Sequence, residues 1–349
     1  MRKISRLALT MGMLALLAPV TSVFAQGQNE NASASASAQP QKTTIKVAYH
    51  PHVTGAGGLL NAIDNKYFDQ ENLNVQLVQF TSGATELAAM SSGDIDFGYL
   101  GVGAHVFAPQ GQCVILALDS TDLSGEILTR ADSGIKSMQD LKGKNVAISA
   151  GTTSELVLSM ALQLNGMKKT DVNLINMDAS GKVTSFMTGK IDAISIEAPY
   201  TDQIRKEMGA SNVITLSGSK DFLPKAVFTN SWVTTKKFLD KDPDVVVRFL
   251  RAWLKGTQDR YDDMDGTVRK VAKYINTDYD TAHLVVDKTN WISNSQLKKL
   301  VDDGTAMQWY ATMNKMFLDA GLLDAKYDVA PENYVKFDYL KQAMKDNGV

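Results

Sequence analysis

The feature that most constrains this chain is a regular alternation of short apolar segments with segments of helical period. Residues 44–49 (TIKVAY) and 74–80 (NVQLVQF) have the length and β-branched content of strands, and helix-like stretches follow both. A second series of the same kind runs from about residue 127 to about residue 224. Strands that alternate with helices predict mixed or parallel sheets covered by helices. The predicted fold class is therefore α/β.

A short internal similarity links the two series. Residues 92–98 (SGDIDFG) and 188–194 (TGKIDAI) each place a Gly after a helix and an Asp before a strand. Gly93 and Gly189 fit the position after a helix end that favours positive φ. Either the two units are structurally equivalent here, or the order simply reflects a connection that is common in α/β proteins.

The N-terminal residues predict export. A basic start at residues 2–6 precedes an apolar run at residues 7–20, and small residues before Ala25 fit signal-peptidase cleavage after that residue. An uncleaved membrane anchor is the less favoured alternative, because the apolar run is short for a membrane span and contains a proline. Residues 26–42 are polar and repetitive, which predicts a disordered tether.

Charge and cysteine content exclude several classes of partner. The formal net charge is −2, and removal of residues 1–25 takes away three basic residues and no acidic one. A net acidic chain argues against nucleic acid and anionic membrane surfaces as main partners. The single cysteine, Cys113, cannot form an internal disulfide and lies in an apolar segment, where we expect a buried thiol.

Two turns that follow strands are candidate anion sites. Residues 81–86 (TSGATE) and 150–155 (AGTTSE) combine small and hydroxylated residues with a predicted helix start. Helix N-termini at the carboxyl edge of a sheet bind anions through free N–H groups. Thr152 and Glu155 also predict a capping box. The alternative is helix capping without a ligand.

Two histidines follow the first strand. His50 and His52 lie two residues apart, so an extended strand would place them on one face. A metal site needs more ligands than these two, and we expect none. A ligand contact by one of them at the mouth of a crevice is the other possibility. The chain has no phosphate-binding loop of the Walker type and no Gly-x-Ser-x-Gly motif.

The chain resembles the periplasmic solute-binding proteins of the nitrate, aliphatic sulfonate and taurine ABC transporters. Four segments carry the resemblance, in this order: IKVAYHPH, GLLNAIDNKYFDQENLNVQLVQFTSGATELAAMSSGDIDFGYLG, DLKGKNVAISAGTTSE and TGKIDAISIEAPY. The resemblance covers residues 43–237 and, more loosely, the helical tail. Pyrimidine-precursor binders share the second segment, so the resemblance leaves the ligand open.

The resemblance implies a two-lobed periplasmic-binding-protein fold of type II, with mixed sheets covered by helices and two crossover hinge strands. Lobe one would comprise residues 43–124 and 226–349, and lobe two residues 125–225. Such a protein would close around its ligand and deliver it to an ABC permease and its ATPase. We expect a monomer without a cofactor.

The resemblance also implies a set of ligand-facing residues at the edges of the cleft. In lobe one these are His50, Ser82, Gly83, Leu100, Gly101 and, near the first crossover, Asp119; in lobe two they are Gly151, Thr152, Thr153, Glu197 and Tyr200.

Glu197 bears on the choice of ligand. A carboxylate in the cleft would repel nitrate but could pair with the ammonium of taurine. Alternatively, Glu197 faces solvent or contacts Arg205. A small anionic or zwitterionic solute of the sulfonate or taurine type fits best. The other readings are an enzyme on the same fold, resembling a desulfinase or a pyrimidine synthase, and an extracytoplasmic sensor.

Overall fold

The structure is a computed structural model that describes residues 42–349. The predicted signal peptide, its cleavage after Ala25 and the predicted tether, except for its last residue, lie outside the described residues.

Eleven strands are formed by residues 42–349. They are β1 (Thr43–Tyr49), β2 (Leu73–Gln79), β3 (Gly98–Leu100), β4 (Val114–Asp122), β5 (Glu126–Arg130), β6 (Asn145–Ile148), β7 (Asn173–Asn176), β8 (Ala193–Ile196), β9 (Val213–Gly218), β10 (Thr229–Thr234) and β11 (Thr289–Trp291).

Thirteen α-helices lie in the same part of the chain. They are α1 (Val53–Asp64), α2 (Tyr67–Gln70), α3 (Gly83–Ser92), α4 (Thr153–Leu164), α5 (Ala179–Met187), α6 (Tyr200–Met208), α7 (Lys236–Lys241), α8 (Pro243–Asp262), α9 (Met264–Tyr274), α10 (Tyr279–His283), α11 (Asn294–Asp302), α12 (Thr305–Asp319) and α13 (Phe337–Asp346). Short 3-10 turns connect several of them, including one at Val102–Phe107.

The strands form two groups, which confirms a two-lobed α/β fold. In lobe one, β1 and β2 pair in parallel, and a mixed sheet has the order β11-β4-β10-β3. A parallel bridge between Val47 and Phe97 joins these two sheets. Lobe two contains a five-stranded mixed sheet with the order β7-β6-β8-β5-β9. The exact lobe boundaries at residues 124/125 and 225/226 stay predictions.

Two crossover segments connect the lobes side by side. The N–H of Asp122 donates to the carbonyl of Phe228 over 2.7 Å, and the N–H of Ser219 donates to the carbonyl of Gly125 over 2.8 Å. On either side of these contacts β4 pairs antiparallel with β10, and β5 with β9. The two hinge strands therefore support each other through backbone hydrogen bonds.

The internal similarity is also present in the backbone contacts. Asp96 accepts from the N–H of Lys46 over 2.8 Å, and Asp192 accepts from the N–H of Asn145 over 2.8 Å. Gly93 and the equivalent Gly189 have φ of 85° and 73°. The unit β1-α1-β2-α3-β3 thus corresponds to β6-α4-β7-α5-β8, so α3 is the equivalent of α5, and α1 of α4.

Helix α8 holds the lobe-one site elements in place. Its apolar face, including Phe249 and Trp253, is buried, and Phe249 stacks on Phe97 with ring centroids 4.0 Å apart. Gly256 touches α1 so closely that a Cβ there would lie 2.1 Å from the carbonyl oxygen of Gly58. This glycine contact fixes α1, and with it the histidines before α1. No helix of the described region has the length and apolar character needed to cross a membrane.

Candidate functional site

The lobes meet between the 3-10 turn of lobe one and the start of α4 in lobe two. A Cβ on Gly103 would lie 2.0 Å from the carbonyl carbon of Thr152, so only glycine allows this approach. Beside this contact is a cavity of about 320 Å³. Its lining comes from Gly103, Val106, Phe107, Gln110, Gly321 and Leu322 of lobe one and from Gly151, Thr152, Glu155 and Lys169 of lobe two. The structure therefore places the predicted residues Gly151 and Thr152 against the opposite lobe.

The start of α4 retains hydrogen-bonding capacity. The Thr152 hydroxyl accepts from the N–H of Ser154 over 3.3 Å and donates to the carbonyl of Ser149 over 2.8 Å. Within residues 42–349, the N–H groups of Thr153 and Glu155 have no acceptor. Thr153 itself is buried, with 7% of its surface exposed. These N–H groups, at the positive end of the helix dipole, can bind an anion.

The predicted capping box at α4 is wrong in both partners, since the Thr152 hydroxyl accepts from the N–H of Ser154 rather than from that of Glu155. Glu155 accepts from the N–H of Gly151 over 2.9 Å rather than from that of Thr152. Gly151 has a φ of 70°, and this left-handed conformation directs its N–H toward the Glu155 carboxylate. Glu155 therefore occupies the Gly151 amide, and an anion would use the N–H groups further along the turn.

The start of α3 is more tightly packed. Ser82 precedes the helix, is partly exposed and makes no side-chain capping bond. Gly83 is buried, and a Cβ there would lie 2.4 Å from the Cβ of Ala104. Close packing within lobe one is therefore sufficient to require glycine at residue 83.

Glu86, the fourth residue of α3, carries a buried carboxylate. Its carboxylate is fully buried, accepts from the backbone N–H of Tyr99, and lies 2.8 Å from Nε2 of His50. Burial raises the pKa of Glu86, and the contact with His50 opposes that rise. The predicted ligand residue His50 is thus oriented by a buried carboxylate.

The histidines do not share a strand face, contrary to the sequence-based expectation, because β1 ends at Tyr49. His52 instead caps α1: its Nδ1 accepts from the N–H of Gly55 over 3.2 Å and lies 2.5 Å from the Thr54 hydroxyl. Burial, with a smaller contribution from His50, lowers the pKa of His52 to about 3, so its ring is neutral. Within residues 42–349 no cluster of three or more His, Cys, Asp or Glu residues is arranged to hold a metal.

Two predicted ligand residues are turned into the core. Leu100 is fully buried, and Asp119 is buried in an ion pair with Arg260, with Nη1 at 3.1 and 3.2 Å from its two carboxylate oxygens. Both side chains depart from the expectation that they face a ligand. Gly101 is different: it is partly exposed, and a Cβ there would have only Asn230 Oδ1 nearby, at 4.0 Å. Its backbone remains accessible.

Glu197 directly follows β8, and Tyr200 is the first residue of α6. Both are partly exposed, and burial together with the charge of Glu197 raises the pKa of Tyr200. The alternative contact between Glu197 and Arg205 is not formed, because Arg205 pairs with Glu126. The Glu197 carboxylate thus remains free of this arginine.

The sequence did not single out Asp122, which lies at the end of β4 where the chain leaves lobe one. Burial raises the pKa of Asp122 to about 6, hydrogen bonds from Ser124 oppose the rise, and the charge of Glu197 adds to it. Glu197 of lobe two thus acts on Asp122 through its charge, and the nearby Lys288 opposes the rise in the pKa of Asp122. The sequence signal that could have identified Asp122 is an acidic residue at the end of a predicted strand, next to a predicted crossover.

Two lysines were also missed. Lys288, just before β11, bonds to the Thr201 hydroxyl over 3.0 Å and to Asp202, both in α6 of lobe two. Lys182 is fully buried in α5 and donates to the Ser154 hydroxyl over 3.2 Å. For Lys182 the available signal was its position in the second repeat, which matches Glu86 in the first.

Comparison with known proteins identifies the class. A family described as NMT1/THI5 like matches residues 54–266, and the chain belongs to this family. A protein of Brucella abortus (strain 2308) whose name describes it as a binding protein is 28% identical to this chain over 295 residues. These residues are 84% of this chain and 91% of the relative. The taurine-binding periplasmic protein of Escherichia coli (strain K12) is 27% identical over 62% of this chain and 67% of its own length.

Solved structures confirm the periplasmic-binding-protein fold. The alkanesulfonate-binding protein SsuA from Xanthomonas axonopodis pv. citri, bound to MOPS, matches with a TM-score of 0.66. The match covers 86% of this chain and 100% of SsuA at 16% identity, which supports the fold alone.

The same fold also occurs in an enzyme, the desulfurization enzyme DSZB, which matches with a TM-score of 0.63 at 14% identity over 87% of this chain and 99% of the enzyme. The cysteine of the present chain is unsuited to nucleophilic attack. Cys113 is 1% exposed, and burial raises the pKa of its thiol. A buried, protonated thiol is a poor nucleophile.

Proposed function

We propose that this chain is the extracytoplasmic solute-binding component of an ABC importer and that it captures a small zwitterionic sulfonate of the taurine type between its lobes. The choice of ligand is supported by two carboxylates, Glu197 after β8 and Asp122 at the first crossover, because the negative charge of Glu197 adds to the rise in the pKa of Asp122. A plain anion such as nitrate would be repelled there, whereas an ammonium group would be attracted.

The anionic end of such a ligand has a complementary surface nearby. The N–H groups of Thr153 and Glu155 lack acceptors within residues 42–349 and lie at the N-terminus of a twelve-residue helix. A sulfonate carries three acceptor oxygens and suits several N–H donors at once. The taurine-binding periplasmic protein of Escherichia coli, 27% identical to this chain, is named for a ligand of this class.

Calorimetric titration of taurine and ethanesulfonate tests the proposal, because the two ligands differ in the amine. The wild type should prefer taurine. Glu197→Gln keeps the shape but removes the charge, so taurine should bind roughly ten- to a hundredfold more weakly while ethanesulfonate holds or gains affinity. The same loss for both ligands, or no sulfonate binding by the wild type, would contradict this function.

The cellular setting follows from the same proposal. The chain would act in the periplasm after cleavage behind Ala25, as a monomer, and would deliver solute to a permease with its ATPase. Mass spectrometry of the exported protein tests the cleavage site, and sedimentation tests the monomer. Loss of taurine uptake on deletion, restored by the full chain, would support transport; unchanged uptake with a lost transcriptional response would favour a sensor.

A further inference from the structure

Lys182 occupies an uncommon environment for a lysine. Its side chain is fully buried in α5, and its Nζ donates to the Ser154 hydroxyl over 3.2 Å and to the Ser195 carbonyl over 2.8 Å. Both acceptors are uncharged. Lys182 thus anchors the second residue of α4 to β8 without a paired carboxylate.

The charge of Lys182 is only partly compensated. It forms no ion pair among residues 42–349, and burial lowers its pKa although Glu197 and Asp178 oppose this effect from a longer distance. An ammonium withdrawn from water is costly unless an opposite charge lies close to it. The hydroxyl of Ser195 is also buried without a hydrogen-bond partner in this region. The Lys182 ammonium, which has no ion-pair partner in the described chain, and the unpaired Ser195 hydroxyl could therefore stabilise an anion.

The position of Lys182 links this capacity to the cleft. Ser154 belongs to the first turn of α4, whose neighbouring N–H groups at Thr153 and Glu155 are free of acceptors in the described chain. Thr152, the residue before this helix, faces Gly103 of lobe one. The ammonium and the positive end of the helix dipole thus act on the same side of the cleft.

We infer that Lys182 is the fixed positive charge that holds the anionic group of the solute against the first turn of α4, acting through Ser154. The inference rests on the proposed function and deepens it, because it assigns the sulfonate end of the ligand to α4 in lobe two. Lys182 is a specificity residue in this assignment, since it selects for negative charge without the need for direct contact.

Lys182→Met tests the inference, with Lys190→Met as the matched control. Lys190 lies between α5 and β8 of the same lobe but is exposed. Lys182→Met should weaken taurine and ethanesulfonate binding by about tenfold or more, whereas Lys190→Met should change it less than about threefold. The ligand-free melting temperature of Lys182→Met should be unchanged or higher, because an apolar chain of similar size replaces an unpaired buried charge.

Unchanged affinity in Lys182→Met, or equal losses in both variants, would overturn the inference. If Lys182→Met does not fold, NMR titration of wild-type protein with 13Cε-labelled lysine replaces it. Saturating ethanesulfonate should then raise the pKa of Lys182, and an unaltered titration would reject the inference.

Failure of the proposed function gives a distinct result. If the wild type binds neither sulfonate, the same NMR titration with sulfate, phosphate, nitrate and acetate tests Lys182 by itself. A raised pKa with any of these anions supports the anion site and rejects only the sulfonate, whereas no response to all of them rejects both.

Discussion

Glu86 in lobe one and Lys182 in lobe two occupy equivalent places and carry opposite charges. Each is the fourth residue of its helix, α3 or α5, and each is fully buried. Each also contacts the backbone of the neighbouring strand, since Glu86 accepts from the N–H of Tyr99 and Lys182 donates to the carbonyl of Ser195. The repeated unit therefore provides one buried polar position under each side of the cleft, and the side chain there gives each lobe its own charge.

The two charges differ in how they are satisfied. Glu86 has a partner inside its own lobe, since His50 Nε2 lies 2.8 Å away. Lys182 has only neutral acceptors at hydrogen-bonding distance. The difference teaches that lobe one uses its buried charge to orient a side chain, whereas the charge in lobe two remains available to a ligand. The predictions below are designed to break this distinction.

The largest expected effect is on stability in lobe one. Glu86→Ala removes the acceptor of the Tyr99 N–H and the partner of His50, and should lower the free energy of unfolding by about 3 kcal/mol. Glu155→Ala, at the partly exposed Glu that ends the other turn, should cost about 1 kcal/mol or less. Denaturant unfolding of both variants measures the difference. Equal losses of unfolding free energy in the two variants would show that the burial of Glu86 gives it no larger contribution to stability than Glu155.

A second prediction separates closure from packing through two glycines. Gly103→Ala places a Cβ against Thr152 of the opposite lobe, so the lobes should close less completely and taurine affinity should fall roughly tenfold or more, with little change in melting temperature. Gly83→Ala places a Cβ against Ala104 of the same lobe and should instead lower stability by about 1–3 kcal/mol. Calorimetry and thermal melting of both variants check the pair, and the reverse pattern would contradict the assigned contacts.

Much of the fold could be predicted from the sequence because it depends on local signals. The periodicity of strands and helices is determined by residues that are neighbours in sequence. The same holds for the positive φ of Gly93 and Gly189. The burial of Asp119 could not be predicted, because its partner Arg260 lies 141 residues further along the chain. The capping pattern at α4 also failed locally, since the turn at Gly151 changed which N–H faces Glu155.

The candidate site was predicted less completely than the fold. The two turns 81–86 and 150–155 resemble each other in sequence, yet α4 is the structural equivalent of α1 rather than of α3. The pairing of the helices is shown by the strand register, which places Asp96 against Lys46 and Asp192 against Asn145. The equivalence of Glu86 and Lys182 was accessible from the repeated segment, since each lies seven residues before its glycine, Gly93 or Gly189, but a comparison of the two turns misses it.

A third prediction concerns pH and the carboxylates that face the amine. Burial first, and the charge of Glu197 in addition, raise the pKa of Asp122 from 3.8 to about 6, against the opposing hydrogen bonds from Ser124. Below pH 6 the carboxyl is protonated and neutral, so taurine affinity should rise by up to about tenfold between pH 5 and pH 7. Ethanesulfonate affinity should not rise. Asp122→Asn should flatten the taurine profile, and a flat wild-type profile would exclude Asp122 from the amine site.

The same shift predicts the sign of a stability effect. Between about pH 4 and pH 6 folded Asp122 keeps a proton that the unfolded chain has released, so its contribution to stability decreases as pH rises. The melting temperature of the wild type relative to Asp122→Asn should therefore fall across this range. A rise would show that the folded-state pKa is lowered rather than raised.

The smallest expected effect concerns Lys288, which joins lobe one to α6 of lobe two through Thr201 and Asp202. The lysine side chain is 18% exposed, so solvent screens part of its attraction, and Lys288→Met should lower the free energy of unfolding by about 1 kcal/mol or less. Because the contact bridges the lobes, its loss should favour the open form and weaken taurine binding about two- to fivefold. Lys236→Met is the control, since Lys236 pairs with Asp240 within α7 alone and should leave affinity unchanged. If both variants bind taurine as the wild type does, Lys288 stabilises the hinge but does not affect closure of the lobes. The backbone hydrogen bonds between the crossovers would then set how far the cleft opens, and the charges of Glu86 and Lys182 would act on a cleft of that width.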